Sequence, residues 1–398
     1  MGMYYLGIDV GKYEHQATLI NEQHELIGES IRFKNAHESF HEWMKQIKQR
    51  VPESAEITAG MESTGHYWMN LHTFLQTHGI TNLQVINPIE TQQVSTTRMR
   101  KVKNDKVDSF IIAQIISRSQ KRVVVADDQR NQLKRLTRFY DKMKRQETFV
   151  KRELNSLLEL ICPEFEGLFK NMFLKTPLAL LRTYTDLRTL HAVDPAIFCT
   201  VLTKASRGRI KSDRALILLR TLQNSIGQHQ WDDIAVMQIR MLLNTLELIQ
   251  KHIIELKNAI EQRSDQCEDK KYIVSIPGVS SISAAIYLAE LGDISRFHNK
   301  HQLTAFAGID ASVCESGNYK RTQGNRISKR GSKYLRKQLY YAAKTAVIFD
   351  PELKAYYVKK KQEGKHYNVI MIAVARKLLM RMYVVMKQKR LYEIRSQN

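Results

Sequence analysis

The chain has 398 residues, 62 Lys plus Arg against 40 Asp plus Glu, and a formal charge of +22. Its 43% hydrophobic share excludes wholesale disorder. The length predicts two or three domains, and no apolar run approaches the roughly 20 residues of a spanning helix. The four cysteines, Cys162, Cys199, Cys267 and Cys314, form no CxxC pair and no zinc spacing, which argues against a disulfide framework or a zinc finger. The first residues, Met1 to Leu6, carry no cationic region and no cleavage site, so an intracellular protein with no membrane partner is expected. So large a positive charge repels itself unless a polyanion neutralises it, which makes nucleic acid the expected partner. The alternative is a merely basic soluble protein.

In chain order, residues 1–120 alternate strand and helix signals. Tyr4 to Val10, Gln16 to Ile20 and Leu26 to Phe33 read as strands at hairpin distances, with Asn21 and Glu22 as turn material. Ala36 to Lys48 reads as a helix with Phe40, Trp43, Met44 and Ile47 on one face. Glu56 to Met61 is a strand, His66 to Gln76 a helix, Leu83 to Ile86 a strand stopped by Asn87-Pro88, and Val107 to Ile116 a helix. This order predicts an α/β layer with a mixed sheet.

Residues 121–270 lose the strand signals. Leu133, Leu136, Tyr140, Met143, Val150, Leu154, Leu157 and Ile161 keep helical spacing until Pro163. Leu242, Leu246, Ile249, Ile253, Leu256 and Ile260 form a heptad seam. Two such helices predict an antiparallel hairpin or an intersubunit coiled coil, or an ordinary pair packed on its own chain. Residues 271–398 read as mainly helical. The turn Ile276-Pro277-Gly278-Val279 before a helix at Ser283 to Leu291 is similar to a helix-hairpin-helix, whose backbone N–H groups can hold a phosphate. A plain packing corner is the alternative. Lys333 to Lys344 interleaves cations with Tyr334, Tyr340 and Tyr341, which suits stacking on nucleic acid or a helix half in the core.

Four carboxylates carry the chemistry. Asp9 lies inside the first apolar run, where an unpaired carboxylate costs several kcal/mol. Glu62 ends the fourth strand, and Asp105 and Asp108 share one face at a helix start. Singly, each has a bland explanation as a cap or a solvated residue. Together, four acids cannot crowd unless cations neutralise them, and hard Mg²⁺ with oxygen ligands suits a two-metal phosphoryl displacement. Asp-Glu-Asp-Asp on such a sheet resembles the ribonuclease-H-like core of RuvC-type junction resolvases.

Ser316-Gly317 sits in an expected loop before a cationic run that holds Lys320, Arg321, Arg326, Lys329 and Arg330. A hydroxyl beside cations can attack a phosphodiester. It can equally donate one hydrogen bond to a phosphate and do no chemistry.

Asp9, Glu62 in Met-Glu-Ser-Thr-Gly-His-Tyr, Asp105-x-x-Asp108, Ser-Ile-Pro-Gly-Val and Glu-Ser316-Gly followed by Arg-Ile-Ser-Lys-Arg-Gly together resemble one family. It is the DEDD-type transposases of insertion-sequence family one-hundred-and-ten, also called bridge-RNA-guided recombinases, with the pilin-inverting recombinase as a relative. The resemblance covers about residues 1–120 and 270–385. It implies a RuvC-like domain at 1–120 binding Mg²⁺ through Asp9, Glu62, Asp105 and Asp108. It further implies a helical coiled-coil dimerisation region at 121–270 and a transposase domain at 271–398 whose Ser316 is the nucleophile. Implied partners are donor and target DNA, a structured noncoding guide RNA, and further copies of the chain as a dimer assembling to a tetramer. The implied location is the bacterial cytoplasm, on the nucleoid when active. A junction nuclease with Ser316 idle is one alternative. An actin-like ATPase or sugar kinase, whose first phosphate loop Leu6 to Gly11 resembles, is another. A catalytically inert nucleic-acid-binding protein is the third.

Overall fold

Five strands form one mixed sheet in the first of two units, Met1–Val125 and Ala126–Asn398, of the computed structural model. The structure describes residues 2–62, 67–86, 91, 104–118, 128–227, 232–311, 315–316, 319–320 and 327–394. The strands are β1 (Met3–Val10), β2 (Glu14–Ile20), β3 (Ile31–Lys34), β4 (Glu56–Glu62) and β5 (Asn82–Ile86), in the order β3-β2-β1-β4-β5. β1 pairs antiparallel with β2, and β2 with β3; β1–β4 and β4–β5 are parallel.

Period-two alternation gives the sheet two faces. Leu6, Ile8 and Val10 of β1 are buried with Phe40, Trp43, Met44 and Ile47 of α1 (His37–Arg50) and Leu71 and Leu75 of α2 (Trp68–Thr77). The opposite face carries Gly7 and Asp9 and is covered by α3 (Asp105–Arg118), whose Ile112 and Ile116 pack with Ile86 and Tyr5. The third strand starts later than its expected Leu26. Asn21 Oδ1 accepts from the Gln23 and Glu25 N–H groups, Gly28 takes a positive φ of 75°, and Leu26 makes only an isolated bridge to Ile20. The turn chemistry of 21–30 overrides the apolar spacing there.

In the second unit, α4 (Asp128–Ile161) and α9 (Asp233–Asp265) run antiparallel on one another. Met143 and Val150 meet Leu246, Ile249 and Ile253, and Leu133 shares a core with Ile260. The seam expected at Leu242 to Ile260 is therefore filled by the same chain. Between the long helices, α5 (Glu164–Leu168), α6 (Lys175–Thr183), α7 (Pro195–Ser206) and α8 (Ser212–Gln223) close a core around Phe165, Leu181, Phe198, Leu218 and Ile239. The remainder comprises α10 (Lys270–Val274), α11 (Ser281–Leu291), α12 (Lys300–Ala307), the short pair β6 (Glu315–Ser316) and β7 (Tyr319–Lys320), α13 (Lys333–Phe349), α14 (Pro351–Gln362) and α15 (Tyr367–Gln388). Their core includes Tyr287, Leu339, Ala343, Leu378 and Met382. Among the described residues no helix is long and apolar enough to cross a membrane.

Candidate active site

Two triplets, Gly7-Ile8-Asp9 in β1 and Gly60-Met61-Glu62 in β4, share the pattern glycine, apolar, acid. Gly7 pairs with Gly60 and Ile8 with Met61 in parallel register. The alternation then sets Asp9 and Glu62 on the face that carries the two glycines. That face is where α3 comes closest. A Cβ on Gly7 would run into the Ser109 carbonyl oxygen and the Ala113 nitrogen, and one on Gly60 would run into the Ile116 side chain. The glycines let the helix approach the sheet, and its first turn carries Asp105 and Asp108. A buried hydrogen bond between Thr18 and Ser109 hydroxyls, 2.7 Å long, ties that turn to β2.

The electrostatics record the convergence. The Asp9 carboxyl is pushed up to about 6, first by burial, then by the negative charges of Asp105, Asp108 and Glu62. Glu62 accepts a hydrogen bond of 3.3 Å from the Thr91 hydroxyl. Asp105 lies 3.5 Å from Arg32 of β3, whose guanidinium also lies 3.6 Å from Glu14. These exposed pairs are weak, so Arg32 offsets little of the repulsion on Asp9. Among the described residues no three His, Cys, Asp or Glu groups are drawn tightly enough to hold an ion as the side chains lie. An all-oxygen set of four acids, one of them with a raised pKa, nevertheless fits a hard divalent cation, whose charge would offset the repulsion.

In the second unit Ser316 lies in β6, and the backbone register pairs it with Tyr319 and Glu315 with Lys320. The stems of this segment are closed below it. Ala311 bridges Ile327, the Ser328 N–H donates to the Asp310 carbonyl at 2.9 Å, and the Lys329 N–H donates to the Gly308 carbonyl at 3.1 Å. The Ser328 hydroxyl also donates to the Asp310 carboxylate. Lys329 and Arg330 are exposed on the outgoing stem. Arg321, Arg326 and the side chains of Ser316 and Lys320 lie outside the described residues.

A DEDD-type transposase model matches residues 6–163, and a second, described as the transposase IS116/IS110/IS902 family, matches residues 270–358. The chain belongs to the IS110 transposase family. Two of the proteins to which it is similar along nearly its whole length illustrate this. One is the insertion element IS116 uncharacterized 44.8 kDa protein of Streptomyces clavuligerus, 23% identical over 394 residues, covering 98% of this chain and 96% of the relative. The other is the pilin gene-inverting protein of Moraxella bovis, 22% identical over 400 residues and 99% of each chain. A shorter match, 34% identical over 139 residues, is to the transposase for insertion sequence element IS1111A of Coxiella burnetii, and it covers 34% of this chain and 36% of that one. Membership in the IS110 family sets the kinase reading of Leu6 to Gly11 aside.

Several features of this IS110-family chain escape a reading by residue type. Gly7 and Gly60 are the clearest, and their repeated glycine–apolar–acid spacing was the available signal. Gly278 has a positive φ of 87°, and a Cβ there would sit 2.5 Å from the Ala346 backbone, so close packing of the turn on α13 already requires glycine. Of the three tyrosines of α13 singled out above, Tyr334 lies under Arg138 at 4.8 Å and Tyr340 donates to Asn368 at 2.7 Å. Tyr341 is exposed. Glu290, almost fully buried, accepts from both Arg138 (2.8 Å and 3.1 Å) and the Ser332 hydroxyl (2.7 Å), which anchors the start of α13 just beyond the serine segment.

The glycine argument carries a prediction. Gly7→Ala is expected to lift α3 from the sheet, destabilising the chain by about 1–3 kcal/mol as overpacked sites do. It should also weaken divalent-cation affinity, because Asp105 and Asp108 move with the helix. Thermal melts with and without metal check this; an unchanged metal-induced shift would refute the positioning role.

Proposed function

We propose that this IS110-family transposase exchanges DNA strands through a serine-linked intermediate at a Mg²⁺-dependent site. The observation that supports the metal-site part of the proposal is the placement of Asp9, Glu62 and the first turn of α3, with Asp105 and Asp108, on one face of the sheet, where their charges help to raise the pKa of Asp9. The strand order β3-β2-β1-β4-β5 supports a ribonuclease-H-like, RuvC-like reading of residues 1–120. Asp9, Glu62, Asp105 and Asp108 would hold the cation. When bound, it supplies charge stabilisation for the phosphorane and for the attacking and leaving oxygens.

In this reading the Ser316 Oγ forms a bond to phosphorus as the phosphorus–sugar oxygen bond breaks, and the leaving oxygen takes up a proton. Attack by the hydroxyl of the exchanged strand then breaks the serine ester and returns the proton to Ser316, so no ATP is needed to rejoin strands. Lys320, Arg321, Arg326, Lys329 and Arg330 contact phosphate, and so do the N–H groups of the turn at Gly278. The region 121–270 dimerises and grips a structured noncoding RNA that selects donor and target DNA, and two dimers form the working tetramer. Residues 271–398 present Ser316.

The test is product analysis. With Mg²⁺, the guide RNA and two plasmids carrying donor and target sites, sequencing should find hybrid junctions with every strand rejoined. Nicked arms alone would replace this reading with a junction nuclease.

A further inference from the structure

Glu290 lies almost fully buried in α11, between Ala289 and Leu291, which are buried too. Burying a charge is costly, and apolar side chains of similar volume often serve stability as well or better. Burial pushes the Glu290 pKa up, but hydrogen bonds from Arg138 and Ser332, with the charges of Arg138 and Lys134, outweigh it. They hold the carboxyl below its usual range, so it is ionised at neutral pH. Stability alone gives little reason for a carboxylate here, and its two partners show what it joins.

Arg138, from the long helix α4, donates through Nε at 2.8 Å and Nη2 at 3.1 Å, a two-point grip that fixes direction as well as distance. Ser332, the N-cap of α13, donates its hydroxyl at 2.7 Å and accepts the Leu335 N–H at 3.2 Å. α4 meets the start of α13 twice more. Asp141 accepts from Lys337 at 2.6 Å, and Arg138 lies over the Tyr334 ring at 4.8 Å. Ser332 also ends the stem that returns from Ser316. Two left-handed residues, Lys329 at φ 55° and Gly331 at φ 82°, lead into it. A stem so constrained has little freedom once its end is fixed. The position of Ser332 is therefore passed back to Ser328 and Lys329, whose N–H groups close the stem on Asp310 and Gly308. The ingoing stem is held separately, by Arg376 of α15, which donates to the Ile309 carbonyl at 2.6 Å.

We propose that Glu290 is a positioning residue for strand exchange: by joining Arg138 of α4 to Ser332 at the base of the returning stem, it sets where the segment presents Ser316. This rests on the reading of Ser316 as the nucleophile. Glu290 acts through Ser332 and takes no part in the chemistry. Without the tie the serine hydroxyl is misplaced rather than lost, so the cost falls on the rate of attack and not on affinity for DNA.

The experiment compares full chains carrying Ser332→Ala, Ser332→Thr and Glu290→Gln with the wild type. Ser332→Ala leaves the Arg138 pair in place, so the buried charge stays matched. Ser332→Thr keeps the hydroxyl, and Glu290→Gln turns one acceptor of the carboxylate into a donor. Amide hydrogen exchange across residues 327–331 should quicken by about tenfold or more in Ser332→Ala and Glu290→Gln, the scale of one lost hydrogen bond to a charged group. It should stay at the wild-type rate in Ser332→Thr, and the amides of α6 to α8 should be unchanged in all three. In single turnover with Mg²⁺, guide RNA and nicked DNA, the protein–DNA adduct should form roughly 10–100-fold more slowly in Ser332→Ala and Glu290→Gln. DNA affinity should be unchanged, and Ser332→Thr should restore the rate. Exchange at 327–331 unaltered in Ser332→Ala would overturn the tie. Quickened exchange with an unaltered adduct rate would overturn its role in the reaction. A wild type that forms no adduct would instead remove the serine reading, and the exchange result would still decide whether Glu290 holds the stem.

Discussion

Asp9→Asn is expected to lower strand exchange by roughly three orders of magnitude or more, about 4 kcal/mol in the barrier, because it removes a ligand at the charge-stabilising centre. Glu62→Gln, Asp105→Asn and Asp108→Asn should behave alike, and EDTA should reproduce all four in the wild type. The raised pKa separates this loss from unfolding. A carboxyl whose pKa rises from 3.8 to about 6 on folding binds more protons in the folded state between those values. Stability then falls as pH rises through that window and stays lower above it. Asp9→Asn deletes this penalty, so at pH 8 without metal its melting temperature should equal or exceed that of the wild type. The same proton competes with the cation. Below pH 6 the half-saturating Mg²⁺ concentration should rise by about tenfold per pH unit, and above it should level off. A variant that loses activity only because it melts, or a wild type that recombines in EDTA, would remove the metal role.

Ser316→Ala is expected to lose both cleavage and exchange, with residual activity down by roughly 10⁴-fold or more, the scale seen when a nucleophile is deleted from a group that acts as a unit. DNA and RNA binding should persist, since the cations of the same segment are untouched. If the proposed tetramer builds each site from one subunit's carboxylates and another's serine, mixing Ser316→Ala with Asp9→Asn should restore part of the activity. If the mixture stays dead while each variant still binds DNA, carboxylates and serine act within one subunit. If Ser316→Ala cleaves normally, the serine is a phosphate contact only.

Much of the first unit was legible because its physics is local. Strands one, two, four and five stand out as short apolar runs, and their bounds shift by no more than two residues. The third strand was overread because periodicity carries no information about Gly28 at positive φ or about the Asn21 turn. The heptad seam of α9 announced an apolar face, but a period cannot say whose helix fills it, and here α4 of the same chain does. At the site, the four acids could be named from residue type. What brings them together could not, because the approach of α3 depends on the absence of side chains at Gly7 and Gly60. Gly278 was read for its backbone N–H groups; its close approach to the Ala346 backbone is a separate feature with no sequence signal. The ring contact of His41 with His78 joins residues 37 positions apart in sequence, which only the fold makes neighbours.

The most direct measurement is a denaturing gel of the protein incubated with Mg²⁺, guide RNA and a nicked suicide substrate, whose short arm diffuses away after cleavage and traps the intermediate. A wild-type protein–DNA adduct should survive detergent, and it should be absent in EDTA, in Ser316→Ala and in Asp9→Asn. Efficient cleavage with no adduct, or an adduct that persists in Ser316→Ala, would contradict a serine nucleophile working with the Asp-Glu-Asp-Asp site.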